Sequence, residues 1–292
     1  MLTSPSVQGV RLATLEDLHR ISIVAAAAFF WSPTFRFQRP RHMDFPADTV
    51  ASYFVEYEAA IRNPLCVVLV AEDVIDQREA EHVYAALRSA YRTHPQQHRG
   101  IVGVCSFTLK PGSGYVGHFQ PQSNHARVPT SYTDMPATAA KSPTHPATMR
   151  PIRDLKRDQC ATALEEYNAI TRPAKLEHLA GKMRLCTLAV APCYWRRGHA
   201  SKLVSFCTQL ADADDAVLGV SATPSGAIVV EKAGFQEHDI IHIKRLPVHE
   251  QPTREDFQSA PDVSLWIGVR LPRGASPSSG IVSRSESPME SQ

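Results

Sequence analysis

The residues best suited to chemistry lie in one stretch, Leu185-Cys-Thr-Leu-Ala-Val-Ala-Pro-Cys-Tyr-Trp-Arg-Arg-Gly-His-Ala-Ser-Lys-Leu203. An apolar strand ends in Ala191-Pro192, a short turn follows, and a helix begins at Gly198. The first N–H groups of a helix have no intrahelical partner and carry partial positive charge. Gly198 and Ala200 are small enough to let a phosphate reach that backbone, and Arg196 and Arg197 add two full charges. The chemistry this pattern suits is the binding of an anion such as a pyrophosphate. The competing reading is a plain helix start with exposed arginines. The preceding apolar strand, the small residues and the basic pair together favour the anion. The stretch has neither the G-x-G-x-x-G of a dinucleotide site nor the G-x-x-x-x-G-K-[ST] of a P-loop.

Other reactive side chains give weaker patterns. Cys66, Cys105, Cys160, Cys186, Cys193 and Cys207 contain no C-x-x-C pair, and most sit in apolar runs. They read as reduced, buried thiols of an intracellular protein. Among the histidines, His94 and His98 flank Pro95, which breaks the helix that would align them. His238 and His242 lie with Asp239 in an apolar stretch. Neither pair has a matching set of Cys or acidic residues, so no metal site is expected.

These residues need a folded scaffold, and the composition supplies one. With 43% hydrophobic and 21% charged residues the chain can bury a core, which excludes a wholly disordered protein. Its 292 residues would allow about two domains. The 22 prolines cluster outside the periodic segments, however, so the folded part is shorter than the chain. A net charge of +2 argues against a nucleic-acid or membrane-surface binder. No tract reaches the ~18 apolar residues of a membrane span. Nor does the N-terminus read as a secretory leader, and a cytoplasmic location is expected.

Apolar spacing predicts a strand at 7–12, then a helix to about Phe30 opened by Thr14-Leu15-Glu16-Asp17, a capping-box pattern with Asp in place of Glu. A loop at 31–46 leads to a helix capped by Asp48 and closed by Asn63-Pro64. Strands at 65–71 and 100–109 flank a surface helix at 76–91. Residues 111–150 carry many prolines and no period, and read as a disordered insertion. Inserted helices follow over 154–180, with Leu155, Leu164, Tyr167 and Ile170 as the apolar stripe. Then come a strand at 184–190, an amphipathic helix at 198–211, a strand at 216–221, a helix at 224–233 and strands at 237–243 and 263–269. Residues 271–292 read as a disordered Ser/Pro-rich tail. The order is that of one mixed α/β domain with a central sheet.

With those elements placed, Trp195-Arg196-Arg197-Gly198-His199-Ala200 resembles the acyl-CoA-binding loop of the GNAT N-acetyltransferase superfamily, whose pattern is [Q/R]-x-x-G-x-[G/A]. Gly198 and Ala200 fit it; Trp195 stands where Gln or Arg is usual. Three further segments agree in order: Val10–Asp17 with the family's first strand and helix start, Ile228–Phe235 with its late helix ending in Gly-Phe, and Val263–Val269 with its closing strand. The resemblance covers about 7–110 and 184–270. It implies a single domain over 7–270, α/β in class (mixed α+β). The sheet would be mostly antiparallel and flanked by helices, with a long insertion before the CoA-binding strand.

The resemblance also implies roles. Leu188, Ala189 and Val190 would meet pantetheine along a strand that splays from its neighbour. Arg196, Arg197, Gly198, His199, Ala200 and Ser201 would hold the pyrophosphate of acetyl-CoA, used as cosubstrate without a metal. A primary amine of a small molecule or peptide would attack the thioester directly. The family often places a Tyr acid on the late helix, and here that position is Val230, which cannot give a proton. Ser221 and Ser225 are the candidates to hydrogen-bond the sulfur. Glu166 is the candidate base, with Glu165 and His178 of the same inserted segment as further candidates. A non-catalytic CoA-binding or interaction module is the alternative, kept open by Val230 and Trp195. A monomer or homodimer is expected. The inserted helix reads either as a lid over the amine pocket or as packing on an outer sheet face.

Overall fold

The computed structural model describes residues 4–91, 98–120, 156–243 and 262–274. Seven strands form one sheet: β1 (Val10–Leu12), β2 (Cys66–Val74), β3 (Arg99–Thr108), β4 (Met183–Val190), β5 (Leu218–Ala222), β6 (Gln236–Ile243) and β7 (Val263–Arg270), in the order β1-β2-β3-β4-β5-β7-β6. Every neighbouring pair is antiparallel except β4 and β5. The fold is therefore the mixed α/β sheet that the alternation of strand and helix patterns predicts.

Both faces of the sheet are covered, because side chains alternate across it. Helices α1 (Leu18–Phe29) and α3 (Pro46–Arg62) pack on Val68, Val70, Val102, Val104 and Ala189. On the other face α5 (His199–Ala213) and α6 (Pro224–Glu231) pack on Leu69, Cys105, Phe107, Leu185 and Val220. The Thr14–Asp17 signal behaves as predicted: the Asp17 carboxylate accepts the Thr14 N–H at 2.8 Å. Asp48 does not cap α3. It sits in the first turn, after Pro46, and receives the Arg157 N–H, Nε and Nη2 at 3.0, 2.9 and 2.7 Å.

Several expectations are corrected. The 31–46 segment holds a short helix, α2 (Pro33–Gln38), started by a proline at its first position. Residues 76–91 are not an α-helix but two 3₁₀ segments, Glu79–His82 and Ala85–Tyr91. Glu79, Val83, Leu87 and Tyr91 are buried there, so tertiary contacts override the helical period. Residues 111–120, placed in the disordered insertion, are a packed turn: Tyr115 and Phe119 are buried, and Phe119 meets Phe206 edge-on at 6.4 Å. Two aromatics supply the burial that a Pro-based reading missed. The rest of that insertion, 121–150, lies outside the described residues, as does 275–292 of the tail. Six free cysteines are present; Cys105 and Cys207 are buried and Cys186 is exposed, not buried as expected.

The inserted helical part is a single helix, α4 (Ala161–Leu179), that runs through Pro173. Its buried residues are Ala163, Thr171 and Leu179, whereas Ile170 and Leu176 are exposed. It lies over β5, β6 and β7 on the face opposite α5 and α6, as the packing of Leu179 with Ile267 and Val269 shows. Gly219 permits this approach, since a Cβ there would stand 2.7 Å from Leu179 Cδ2. Leu155 of the expected stripe lies outside the described residues.

Three paired carboxylates set the acid limb of stability. Burial pushes Asp17, Asp48 and Asp212 up, but Arg11, Arg157 and Arg270 outweigh it and hold each below its ordinary value. A depressed carboxylate stabilises fully above its unfolded value of ~3.9, and loses that effect as pH falls through the folded value. The urea midpoint is expected to drop below about pH 4. Asp212→Asn, which weakens the pair with buried Arg270 (2.8 Å), should lower the midpoint at pH 7 and flatten the acid drop. An equal acid drop in wild type and variant would refute this origin.

Candidate active site

Strand β4 is bulged. Its β3 partners run Ser106↔Thr187 and then Phe107↔Leu185, which leaves Cys186 unpaired and bends the strand. Strand β5 runs parallel to it for only three pairs, Met183↔Leu218, Arg184↔Gly219 and Leu185↔Val220. Beyond Leu185 the two strands part. The facing backbone N–H and C=O groups lack a ladder partner and are free to bond an extended ligand. A cleft of about 640 Å³ fills this split, lined by Thr187–Val190 on one side, Val220–Thr223 on the other, and Trp31 and Trp195.

The cleft ends at the turn before α5. Arg196 (φ 63°) and Gly198 (φ 84°) are both left-handed, the kind of backbone that can turn successive N–H groups toward one point, as in a nest. No side chain caps α5, and the N–H groups of its first turn remain open to a ligand. A Cβ on Gly198 would meet nothing within 4 Å, so it is the left-handed φ, and not crowding within the protein, that favours glycine there, and the space in front of it is open.

Of the residues expected at the anion, Arg196, Gly198, His199, Ala200 and Ser201 line the cleft. Two side chains are directed elsewhere. Arg197 lies over the Tyr194 ring at 5.0 Å and pairs with Asp73 and Asp76 at 3.8 and 3.9 Å. The buried His199 ring meets Asp73 Oδ2 through Nε2 at 3.0 Å, leaving only its backbone for an anion. Burial raises the Asp73 carboxyl, but the Val74 N–H, His199 and Arg197 together hold it below its ordinary value. These contacts fasten the turn to β2.

A second fastening is buried. Tyr194 donates to Glu79 at 2.9 Å, and Glu79 also takes a two-pronged contact from Arg20 at 2.9 and 2.8 Å. Trp195, at the position of the usual Gln or Arg, donates Nε1 to the Val190 carbonyl at 2.6 Å. Its ring meets Trp31 edge-on at 5.9 Å. The indole thus braces the end of β4 from the side chain, a contact no spacing rule could foresee.

Leu188, Ala189 and Val190 line the cleft as expected, and so do Ser221 and Ser225. The Ser225 hydroxyl is 3.2 Å from Thr223 Oγ1, and Thr223 caps α6 through the Gly226 N–H. Val230 is buried against the α5 side of the core while reaching the cleft wall, so no proton donor stands there. Glu166 and Glu165 are on α4 and do not line the cleft; His178, also on α4, faces Asp239 at 3.9 Å. Among the described residues of the insertion, α4 therefore takes the outer-face position and brings no base to the cleft.

A hydroxyl chain on the cleft wall went unforeseen. Tyr57 of α3 donates to Thr187 Oγ1 at 3.1 Å, and Ser106 Oγ is 2.6 Å from the same atom. Burial pushes the Tyr57 phenol well above its ordinary value, so it stays protonated and can donate. The three residues are 81 and 130 positions apart in pairs, so only the fold brings them together.

No protein-family model matches the chain. A curated protein of Stachybotrys chartarum named as an acetyltransferase is 27% identical over 239 residues, covering 82% of this chain and 85% of the relative. Among solved structures, a Corynebacterium glutamicum protein described as histone acetyltransferase HPA2 and related acetyltransferase shares 16% identity, with a TM-score of 0.44 over 89% of this chain and 96% of its own. A Drosophila melanogaster polyamine N-acetyltransferase shares 13%, with a TM-score of 0.41 over 90% and 98%. The chain is thus similar in sequence to an acetyltransferase, and the loop motif, the four segments in order and the split between β4 and β5 agree with the resemblance to the GNAT N-acetyltransferase superfamily.

Proposed function

We propose that the protein transfers an acetyl group from acetyl-CoA to a primary amine. The observation that carries this reading is the unpaired split beyond Leu185, which leads into the uncapped start of α5 with Arg196 and Gly198 left-handed. The backbone of Leu188, Ala189 and Val190 bonds the amides of the pantetheine arm. The N–H groups of Gly198, His199, Ala200 and Ser201, with the Arg196 side chain, hold the pyrophosphate. The thioester then lies near Thr187, where the strands part.

The step is direct attack. The neutral amine nitrogen forms a bond to the thioester carbon, the C–S bond breaks, the nitrogen gives up one proton to solvent as it becomes the amide, and the sulfur leaves as a thiolate that takes one proton. Ser221, Ser225 and Thr187 are the hydroxyls on the cleft wall that can bond the sulfur. Tyr57 stands behind Thr187 as the protonated end of the chain. A thioester is already activated, so positioning along β4 supplies much of the rate.

Val230 favours a second reading, a module that binds CoA without turnover, because it leaves the late helix without an acid. The two are separated by following free CoA thiol with a panel of primary amines while CoA binding is measured by calorimetry. Acyl transfer is expected to release thiol only when amine is present. Binding with no amine-dependent release establishes the second reading instead. Thr187→Val should lower kcat by about ten-fold or more with cofactor affinity kept; an unchanged kcat removes the hydroxyl from the mechanism.

A further inference from the structure

A second cavity, of about 530 Å³, lies along α4 where it passes β4, with Asn168, Thr171, Arg172, Lys175 and Arg184 on its walls. Three of its side chains are cations and none is acidic. Among the described residues none of the three cations forms an ion pair. Lys175 is held by neutral groups: Nζ donates to Thr171 Oγ1 at 3.0 Å and lies 4.7 Å from the Tyr167 ring centroid. Burial, reinforced by Arg184, pushes its ammonium down to about 8. Arg184 turns its Nε into the protein, where it is buried and meets no acceptor. Long cationic side chains ordinarily carry their heads out to water. Two half-buried cations on one cavity without a counter-charge among the described residues suit an oxyanion, which would satisfy both through charge-assisted hydrogen bonds.

The place in the fold says whose oxyanion it is. Arg184 immediately precedes Leu185, the last residue paired to β5 before the cleft opens. Thr187, on the cleft wall, is three residues on, roughly 10 Å at the ~3.3 Å rise of a strand. Lys175 belongs to α4, on the face opposite α5, so the cavity lies across the sheet from the helix whose first turn holds the cofactor anion.

We propose that this cavity binds a carboxylate or phosphate group carried by the acceptor, so that the acceptor is an amine with an oxyanion some distance along its chain. The inference rests on the acyl-transfer reading for the acceptor's role. The binding site itself is tested without that reading.

The first arm titrates the full chain by calorimetry with succinate, as a carboxylate, and with sulfate, whose charge is constant near neutral pH and which mimics phosphate. Lys175→Gln and Arg184→Gln, each checked for folding by circular dichroism, should bind the preferred anion at least ten-fold more weakly than wild type. Which of the two probes responds assigns the oxyanion. The second arm compares turnover of 4-aminobutyrate and 6-aminohexanoate with butylamine and hexylamine, and of phosphoethanolamine with ethanolamine. The anionic member should have a KM at least ten-fold lower in wild type, with that advantage lost in both variants and the neutral amine's KM unchanged. Anion affinity equal in wild type and both variants, or neutral and anionic amines used alike, overturns the proposal. Acetyl-CoA affinity, read separately in wild type and Gly198→Glu, reports on the cleft alone, so failure of this site and failure of the acyl-transfer reading are told apart. Lys175-dependent anion binding with no amine turned over at all overturns the acceptor role.

Discussion

Replacing Gly198 with glutamate is expected to lower the affinity for acetyl-CoA at least ten-fold, equivalent to about 1.4 kcal/mol. Two effects act in the same direction. Gly198 has φ 84°, and a residue with a Cβ is disfavoured in that left-handed region by roughly 1–2 kcal/mol. The new carboxylate would also project into the open space before the nest, where the cofactor pyrophosphate is proposed to sit. Gly198→Asn separates the two, because Asn tolerates the left-handed region and adds no charge. It should weaken binding less than glutamate does. Calorimetry on folded variants checks both; an unchanged affinity in Gly198→Glu would remove the anion role from this turn.

The largest loss of stability is expected far from the cleft, from Arg39→Met. Asp158 is fully buried, and its Oδ2 takes hydrogen bonds from Arg39 Nη1 and, at 2.8 Å, from Thr49 Oγ1. The Arg39 guanidinium also lies 5.0 Å from the Tyr53 ring centroid. Removing one member of a buried pair leaves the other charge uncompensated, at a cost of about 3–5 kcal/mol. Asp158 lies near the start of the described stretch that opens at residue 156, and Cys160 N–H bonds to Gln38 O at 2.9 Å beside it. The pair therefore ties α4 to α2 and α3 as well as neutralising a charge. Urea unfolding should show the loss. The double variant Arg39→Met, Asp158→Leu should recover part of it, since neither charge then remains buried. A double variant no more stable than Arg39→Met would place the loss in packing around the guanidinium.

Much of the fold was legible in the sequence because local signals and the hydrophobic period agreed. The apolar runs at 65–71, 100–109 and 184–190 became the central strands β2, β3 and β4; the middle of β2 and β3 is buried on both faces and so is apolar in sequence. The amphipathic run after Gly198 became α5, and Thr14–Asp17 opened the first helical stretch as its spacing requires. The backbone part of the candidate site was legible for the same reason. A strand, a turn with Gly198 and a helix start are set by neighbouring residues, and they fix where free N–H groups point. The vacancy at Val230 was equally readable, because a side chain that cannot give a proton is a property of residue type.

The tertiary structure decided what depends on partners distant in the chain. Arg197 and His199 read as anion ligands beside Gly198, yet Asp73 and Asp76 on and after β2 claim their side chains. The 76–91 segment has a helical period but folds as 3₁₀ turns, because Glu79 is drawn inward to Arg20 and Tyr194. Tyr115 and Phe119 fold a Pro-rich stretch onto Phe206, which no local count of prolines reveals. The exit of β4 from β5 after Leu185, the hydroxyl chain from Tyr57 through Thr187 to Ser106, and the approach of Lys175 to Arg184 all depend on how separate elements are placed against one another. Sequence spacing governs which groups lie on one element. Contacts between elements follow from which apolar faces must be buried against each other, and that is settled only by the whole chain at once.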